Sequence, residues 1–327
     1  MILPNFYALL TRHIYQKLHC WFYNSKRSEN FIAQKKLVKT FADLETGEVL
    51  NLYEGDKWKI TTEEQRNTIQ KSIKTKELNE DMKIWNNELG GFVFVLFKYC
   101  DKLLEQHNEI IPEDITKLFY LATYVDYEGY LIYEDTYMNR KLMMNVLGMT
   151  RNPFDKFYNK LIKLEIFIED NKKILINKNY FMKGEIDKKI QKTYNYTRTY
   201  INTIKYLYEN VSKKQHKRLG MYFKLIPYIH RQQNVLCHNP DDNYNKLKPM
   251  NVRDLKDILG YHRSSIKSFI KELLSIRLSN GESILGFFRT EYDEGESFII
   301  INPRVFYGGN FDIKDGVSGI LKWFKNK

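Results

Sequence analysis

The sequence predicts a mostly helical α+β protein whose carboxy-terminal two thirds contain the same unit twice. The segment LGMTR at 147–151 recurs as LGYHR at 259–263, and INKNYFMKG at 176–184 recurs as INPRVFYGG at 301–309, in the same order. The chain has 327 residues, 43% of them apolar, which is enough for two or three cores. We therefore expect a tandem duplication preceded by a small N-terminal α/β-hairpin extension.

The extension is predicted from a change of pattern near its middle. Residues 1–35 place apolar side chains near helical spacing, so we expect a basic, aromatic helix there. Residues 37–60 form short extended runs separated by turn signals such as ETGE at 45–48. Residues 36–90 are thus predicted to be a small β-hairpin element followed by a polar linker.

The repeats are predicted from core positions that align when the chain is shifted along itself. A shift of 104 positions pairs Phe119 with Phe223, and the offset grows to 112 through an extra polar stretch at about 240–247. It grows to 125 through a longer segment between Ser279 and Gly295, as expected for loop growth in a duplicated fold. The predicted boundaries are 91–186 for the first repeat, 187–311 for the second repeat with its basic helical connector, and 312–327 for a carboxy-terminal tail.

Each repeat contains the pattern of a helix-turn-helix. In the first repeat, Asn139 is placed to cap a helix, Gly148 to end it, and Thr150 to cap the next helix. Asn251 and Gly260 have the same places in the second repeat. Two helices joined by a tight turn are therefore predicted twice.

A predicted β-hairpin follows the two helices in each repeat. Its apolar runs are 166–168 and 174–176 in the first repeat, and 285–288 and 298–301 in the second. In this order of elements, residues 91–310 resemble two tandem winged-helix domains of the kind found in replication initiators and regulators of bacterial plasmids and phages. The resemblance implies sequence-specific binding of duplex DNA without enzymatic chemistry. We expect no cofactor and no metal.

The second helix of each helix-turn-helix has a polar outer face suited to the major groove. Arginine can pair with guanine and asparagine with adenine, and residues at the amino-terminal end of such a helix usually reach the bases. Arg151 and Arg263 begin the two helices. The candidate DNA-binding residues are Arg151, Asn152, Asp155, Lys156 and Asn159 in the first repeat, and Arg263, Ser264, Lys267, Ser268 and Lys271 in the second.

The hairpin tips and the connector are expected to differ in their partners. Lysines can neutralise phosphates, whereas carboxylates are repelled by a DNA backbone. The candidate phosphate contacts are Lys172 and Lys173 in the first wing, and Lys188, Lys189, Lys192, Lys213, Lys214, Lys217 and Arg218 in the connector. The acidic residues of the second wing, which we expect to face away from DNA or to contact a protein, are Glu291, Asp293, Glu294 and Glu296.

The composition favours a polyanionic partner and excludes several other classes. The formal net charge is +12 and the pI is about 9.2. The sequence contains neither a phosphate-binding G-x-x-x-x-G-K-[ST] loop nor a G-x-G-x-x-G dinucleotide pattern. Its three cysteines lack the C-x-x-C spacing of a zinc or redox site, and no apolar run is long enough to span a bilayer. We expect a non-enzymatic protein of the cytoplasm.

Three functions remain open at this level. Replication initiation and transcriptional regulation require the same reading of duplex DNA, so the sequence does not separate them. A different class is a winged-helix adaptor that binds protein through the acidic wing or the N-terminal helix, because fold alone does not determine function. The DNA sequence recognised and the oligomeric state are also left open.

Overall fold

A computed structural model of the chain describes most of the predicted duplication. The described residues are 37–42, 49–53, 66–70, 72–73, 85–96, 110–186, 196–231, 233–260, 262–289, 297–308, 320–321 and 323–324. The chain divides into two compact units, Met1–Thr68 and Ile69–Lys327. In the first unit, strands β1 (Leu37–Ala42) and β2 (Val49–Tyr53) pair antiparallel, as the predicted hairpin requires. The predicted helix at 1–35 lies outside the described residues.

The second unit contains both repeats as an α+β arrangement. The first repeat consists of β3 (Phe92–Leu96), α1 (Pro112–Ala122), β4 (Ile132–Tyr133), β5 (Thr136–Tyr137), α2 (Arg140–Val146), α3 (Arg151–Lys163), β6 (Phe167–Asp170), β7 (Lys173–Ile176) and β8 (Phe181–Met182). The second consists of β9 (Tyr196–Tyr200), α4 (Ile201–Asn210), α5 (Lys213–Phe223), α6 (Val252–Leu259), α7 (Arg263–Ser275), β10 (Leu285–Arg289), β11 (Ser297–Ile301) and β12 (Phe306–Tyr307), with short 3-10 turns at Ile226–Tyr228 and Tyr244–Lys246.

Strands from both repeats form one antiparallel sheet in the order β12-β9-β3-β8. The central pair aligns Phe94 with Arg198, two residues that are 104 positions apart and therefore equivalent in the repeats. Val95 pairs with Phe181 on one side of the sheet. On the other side, the equivalent Thr199 pairs with Phe306. The sheet thus has an approximate two-fold axis through the Phe94–Arg198 pair.

The same axis passes through the helices that cover this sheet. The rings of Phe119 in α1 and Phe223 in α5, which are also equivalent, lie with centroids 4.4 Å apart. Phe119 further contacts Phe181 and Phe306 on the two flanking strands. Buried residues of both repeats form one continuous core. The predicted boundary at 186/187 consequently falls inside a single compact unit rather than between separate cores.

Backbone hydrogen bonds recur at equivalent positions of the two repeats. Leu131 N donates to Ile174 O at 2.9 Å in the first repeat. Leu236 N donates to Ile299 O at 2.8 Å in the second. Each bond joins the extended segment after α1 or α5 to the second strand of the hairpin. Positions that the sequence comparison aligns thus make matching backbone hydrogen bonds, and the extra polar stretch at 240–247 lies in a loop and a 3-10 turn.

In each repeat an ion pair joins the first helix to the helix after the tight turn. The acidic and basic partners are exchanged between the two repeats. In the first repeat, Asp114 of α1 accepts a hydrogen bond from Lys160 of α3 at 2.7 Å. The equivalent residues in the second repeat are Arg218 of α5 and Glu272 of α7, which form a bidentate pair. The position of the pair is retained although every charge has changed sign.

Candidate nucleic-acid interface

Asparagine caps and left-handed glycines define the helix-turn-helix of each repeat. Asn139 Oδ1 accepts a hydrogen bond from Leu142 N at 2.9 Å at the start of α2. Asn251 Oδ1 accepts one from Arg253 N at 2.7 Å at the start of α6. Gly148 has φ +59° and the equivalent Gly260 has φ +65°, a region that glycine enters without a Cβ penalty.

The turn places α3 and α7 against the core by their apolar faces. Thr150 occupies the N-cap position of α3, but its side chain makes no capping hydrogen bond, contrary to the expectation from sequence. The predicted core residues of the two helices are buried or partly buried. They are Phe154, Phe157, Tyr158, Leu161 and Ile162 in α3, and Ile266, Phe269, Ile270, Leu273 and Leu274 in α7.

The opposite face of α3 is open to solvent. Arg151 is the first helical residue, and its side chain is 87% exposed. Asp155 accepts a hydrogen bond from Arg140 Nη2 at 3.0 Å and lies 3.8 Å from Arg151 Nε. Asp155 therefore lies beside the guanidinium groups of Arg140 and Arg151 at the amino-terminal end of α3. The other predicted residues on this face, which are exposed, are Asn152, Lys156 and Asn159.

The corresponding face of α7 is also exposed where its side chains are described. Lys267, Ser268 and Lys271 point to solvent, and Ser268 Oγ lies 3.5 Å from Glu272 Oε1. Arg263 begins the helix, as predicted, but the side chains of Arg263 and Ser264 lie outside the described part of the structure. The two helices thus present polar surfaces at equivalent positions, with lysines in α7 where α3 has Asp155 and Asn159.

The first wing is a two-residue hairpin with one free lysine at its tip. Asn171 and Lys172 have φ of +48° and +68°, as expected for a tight type I′ turn between paired strands. The Lys172 side chain is exposed. The Lys173 ammonium instead lies over the Tyr137 ring, 3.8 Å from its centroid, so it contributes to the base of the wing. Lys172 is the better placed of the two for an external anion.

The connector proves to be partly structural. Residues 196–210 form β9 and α4, where Tyr200 is buried and Tyr208 stacks on Tyr120 with ring centroids 3.9 Å apart. Arg218 is engaged by Glu272, so its guanidinium joins two helices of the same repeat. The predicted phosphate contacts that are exposed on α5 are Lys213, Lys214 and Lys217. The predicted residues outside the described ranges are Lys188, Lys189 and Lys192, together with Glu291, Asp293, Glu294 and Glu296.

Three basic residues near the two helices were missed by the sequence analysis. Arg140 hydrogen-bonds Asp155 and stacks over the Tyr158 ring, 4.4 Å from its centroid. Lys141 and Arg253, which are equivalent in the repeats, are exposed in the first turns of α2 and α6. Because Lys141 and Arg253 lie 112 positions apart, alignment of the two repeats could have identified them as matching basic positions. The contact between Arg140 and Asp155 depends on folding of the turn and left no local signal.

The Arg218–Glu272 pair gives the second repeat a dependence on pH. Hydrogen bonding from Arg218 lowers the pKa of Glu272 below its ordinary value of 4.5. A lowered carboxyl pKa stabilises the folded state above the unfolded pKa, and this contribution is lost as the pH falls through the folded pKa. We expect Glu272→Gln to reduce the free energy of unfolding at pH 7 by up to about 1 kcal/mol, because the pair is partly exposed. Urea unfolding at pH 7 and about pH 3 should show the difference shrinking on acidification; an unchanged difference would contradict the assignment.

Nothing described in the structure forms a metal site or a membrane-spanning helix. Within the described ranges, no group of three or more His, Cys, Asp or Glu side chains is arranged to hold a metal ion. In the same ranges, no helix combines the length and apolar character needed to cross a bilayer. Burial raises the pKa of the Cys237 thiol to about 11, which disfavours the thiolate that nucleophilic chemistry would need.

Comparison of the chain with protein-family models, curated proteins and solved structures finds no match.

Proposed function

We propose that this chain is a sequence-specific duplex DNA-binding protein with two winged-helix domains, acting in replication initiation or control on a plasmid or phage genome. The order helix, bridged extended segment, helix, helix, hairpin in both repeats supports the winged-helix assignment. So does the bonding of the extended segment to the second hairpin strand, as at Leu131 and Ile174. In such domains the helix after the turn, here α3 or α7, is the recognition helix.

One observation carries the proposal. The outward faces of α3 and α7 are polar, exposed and equivalent in the two repeats, while their inward faces anchor them to the core. A lone solvated helix face is ordinary, but basic residues recur at two equivalent positions: Arg151 and Arg263 begin α3 and α7, and the exposed Lys141 and Arg253 lie in the preceding helices. This recurrence favours a shared polyanionic ligand. The net charge of +12 agrees with this.

The proposal predicts different effects for base contacts and phosphate contacts. Sites selected from random duplex DNA provide the specific probe, and unselected duplex provides the reference. We expect Arg151→Ala to weaken binding of the selected site by about 1–3 kcal/mol and to relax its selectivity. Lys217→Ala, at an exposed position of α5, is the matched control and should weaken binding to both duplexes alike. Equal losses on both duplexes for Arg151→Ala would exclude base reading by that residue.

A salt series separates this proposal from the adaptor alternative. Phosphate contacts release counterions, so affinity for duplex DNA should fall steeply as salt rises. Absence of binding to any duplex at low salt would refute DNA binding and favour a protein partner. Binding to several iterated sites at an origin would favour the replication role, whereas one site at a promoter would favour transcriptional control.

A further inference from the structure

We infer that the two recognition helices read oppositely oriented half-sites, so that the DNA target of one chain is an imperfect inverted repeat. This inference rests on the proposed function and concerns the arrangement of the target. It follows from the symmetry of the fold, which relates the repeats by rotation and leaves their recognition surfaces chemically different.

The two repeats are related by a rotation rather than by a translation. Repeats arranged by simple translation would place equivalent strands parallel to one another. Here β3 and β9 are antiparallel, and their register is centred on the equivalent residues Phe94 and Arg198. The outer pairings, Val95 with Phe181 and Thr199 with Phe306, are also exchanged by the same operation. The operation that relates the repeats is therefore a two-fold rotation.

The two-fold rotation also relates α1 and α5, the helices on which the recognition helices pack. Thr116 Oγ1 of α1 donates to His216 O of α5 at 2.7 Å. The exchanged contact lies between Gly220 of α5 and Pro112 of α1, where an added Cβ would be 1.8 Å from the carbonyl oxygen. Thr116 and Gly220 are buried where the two helices meet, and the core residues of both repeats form one cluster. A continuous packed core resists independent rotation of the repeats, so the rotation is imposed on α3 and α7 as well.

The two-fold rotation between α3 and α7 matches a symmetry of duplex DNA. A duplex has two-fold axes perpendicular to its length, and each exchanges the two strands. Two recognition helices related by a two-fold rotation fit one duplex when their axis coincides with one of these axes of the DNA. Moving outward from the centre, each helix then contacts a strand that runs in the same direction. Half-sites about 10 base pairs apart, one helical turn, would place both recognition helices on one face of the DNA.

We expect the two half-sites to differ in sequence. The exposed face of α3 includes Asn152 and Asn159, whose amides match adenine. At the position of Asn159 the second repeat has Lys271, and at the position of Asp155 it has Lys267. Lysine prefers guanine or phosphate. We therefore expect an adenine-containing half-site for α3 and a half-site with more guanine and backbone contact for α7.

The test begins with the full chain and a pool of duplexes randomised over about 30 base pairs, enough for two half-sites a helical turn apart. The enriched sequence is then rebuilt as probes with its two halves inverted, direct or single. We expect the inverted arrangement to bind at least tenfold more tightly than the direct one. We also expect Asn152→Ala to relax selection in one half only, with Lys271→Ala affecting the other half.

The outcomes separate the inference from the proposed function. Enrichment of a direct repeat or of a single half-site would overturn the inverted arrangement while leaving DNA binding in place. No enrichment and no binding at low salt would overturn the proposed function itself. A relaxation of both halves by Asn152→Ala alone would also contradict the assignment of one half to each recognition helix.

Discussion

Gly220→Ala should destabilise the protein, although the same change in an ordinary helix is stabilising. Alanine normally improves the interior of a helix by about 0.5–1 kcal/mol relative to glycine. At Gly220, however, the new Cβ would lie 1.8 Å from the carbonyl oxygen of Pro112, and the obstacle is backbone. The helices α1 and α5 would have to separate at the two-fold axis. We expect a loss of about 1–3 kcal/mol in the free energy of unfolding.

Urea unfolding followed by circular dichroism measures this effect directly. Lys217→Ala, an exposed position on the same helix, is the control and should change stability by less than about 0.5 kcal/mol. Thr116→Ala tests the exchanged contact, where the hydrogen bond to His216 O would be lost without any overpacking. A Gly220→Ala protein as stable as the control, or more stable, would mean that the helices are not in contact at this point.

The parts of the fold that the sequence predicted are those fixed by short-range signals. The caps Asn139 and Asn251 and the glycines Gly148 and Gly260 determine the helix-turn-helix within a few residues of themselves. Each wing is a hairpin between strands that are neighbours in sequence, so alternation and turn residues suffice to predict it. For the same reason, the buried faces of α3 and α7 could be predicted from helical spacing alone.

The central sheet could not be predicted in this way because its strands pair across about a hundred residues. The segment YTRTY at 196–200 was interpreted as part of a basic connector, although it is the strand β9. Its charge is misleading, since the Arg198 guanidinium lies between Phe92 and Phe94, 5.4 and 5.7 Å from their ring centroids. A cation on an aromatic surface is stabilised there, yet in sequence it resembles a phosphate contact.

The candidate interface was predicted less completely than the fold for a related reason. Solvent-facing positions on a helix follow from its period, so the exposure of Lys156, Asn159 and Lys267 could be anticipated. Whether a charged side chain is free or paired depends on residues that are distant in sequence. Arg218 was assigned to phosphate, but it is engaged by Glu272, 54 residues further along the chain.

The reversed ion pair leads to the second large expected effect. Asp114→Arg should destabilise the first repeat by about 3 kcal/mol, because it places a cation beside Lys160 and Lys117 at a site where the native carboxylate is only 5% exposed. Adding Lys160→Glu copies the polarity of Arg218 and Glu272 and should restore most of the loss. Lys117→Met, which copies the equivalent Met221, should remove the remaining repulsion.

A double-mutant cycle of Asp114→Arg and Lys160→Glu, measured by urea unfolding, isolates the coupling between these two sites. Glu113→Arg, the same reversal of charge at the neighbouring and less buried residue of α1, is the control for net charge. The reversed polarity also favours packing of α1 on α3 of its own repeat, because against α7 it would place Asp114 beside Glu272, two like charges. If the double variant were no more stable than Asp114→Arg alone, the retained position of the ion pair would not reflect its charges, and the pairing of helices would have to depend on apolar contacts such as those of Phe119 and Leu161.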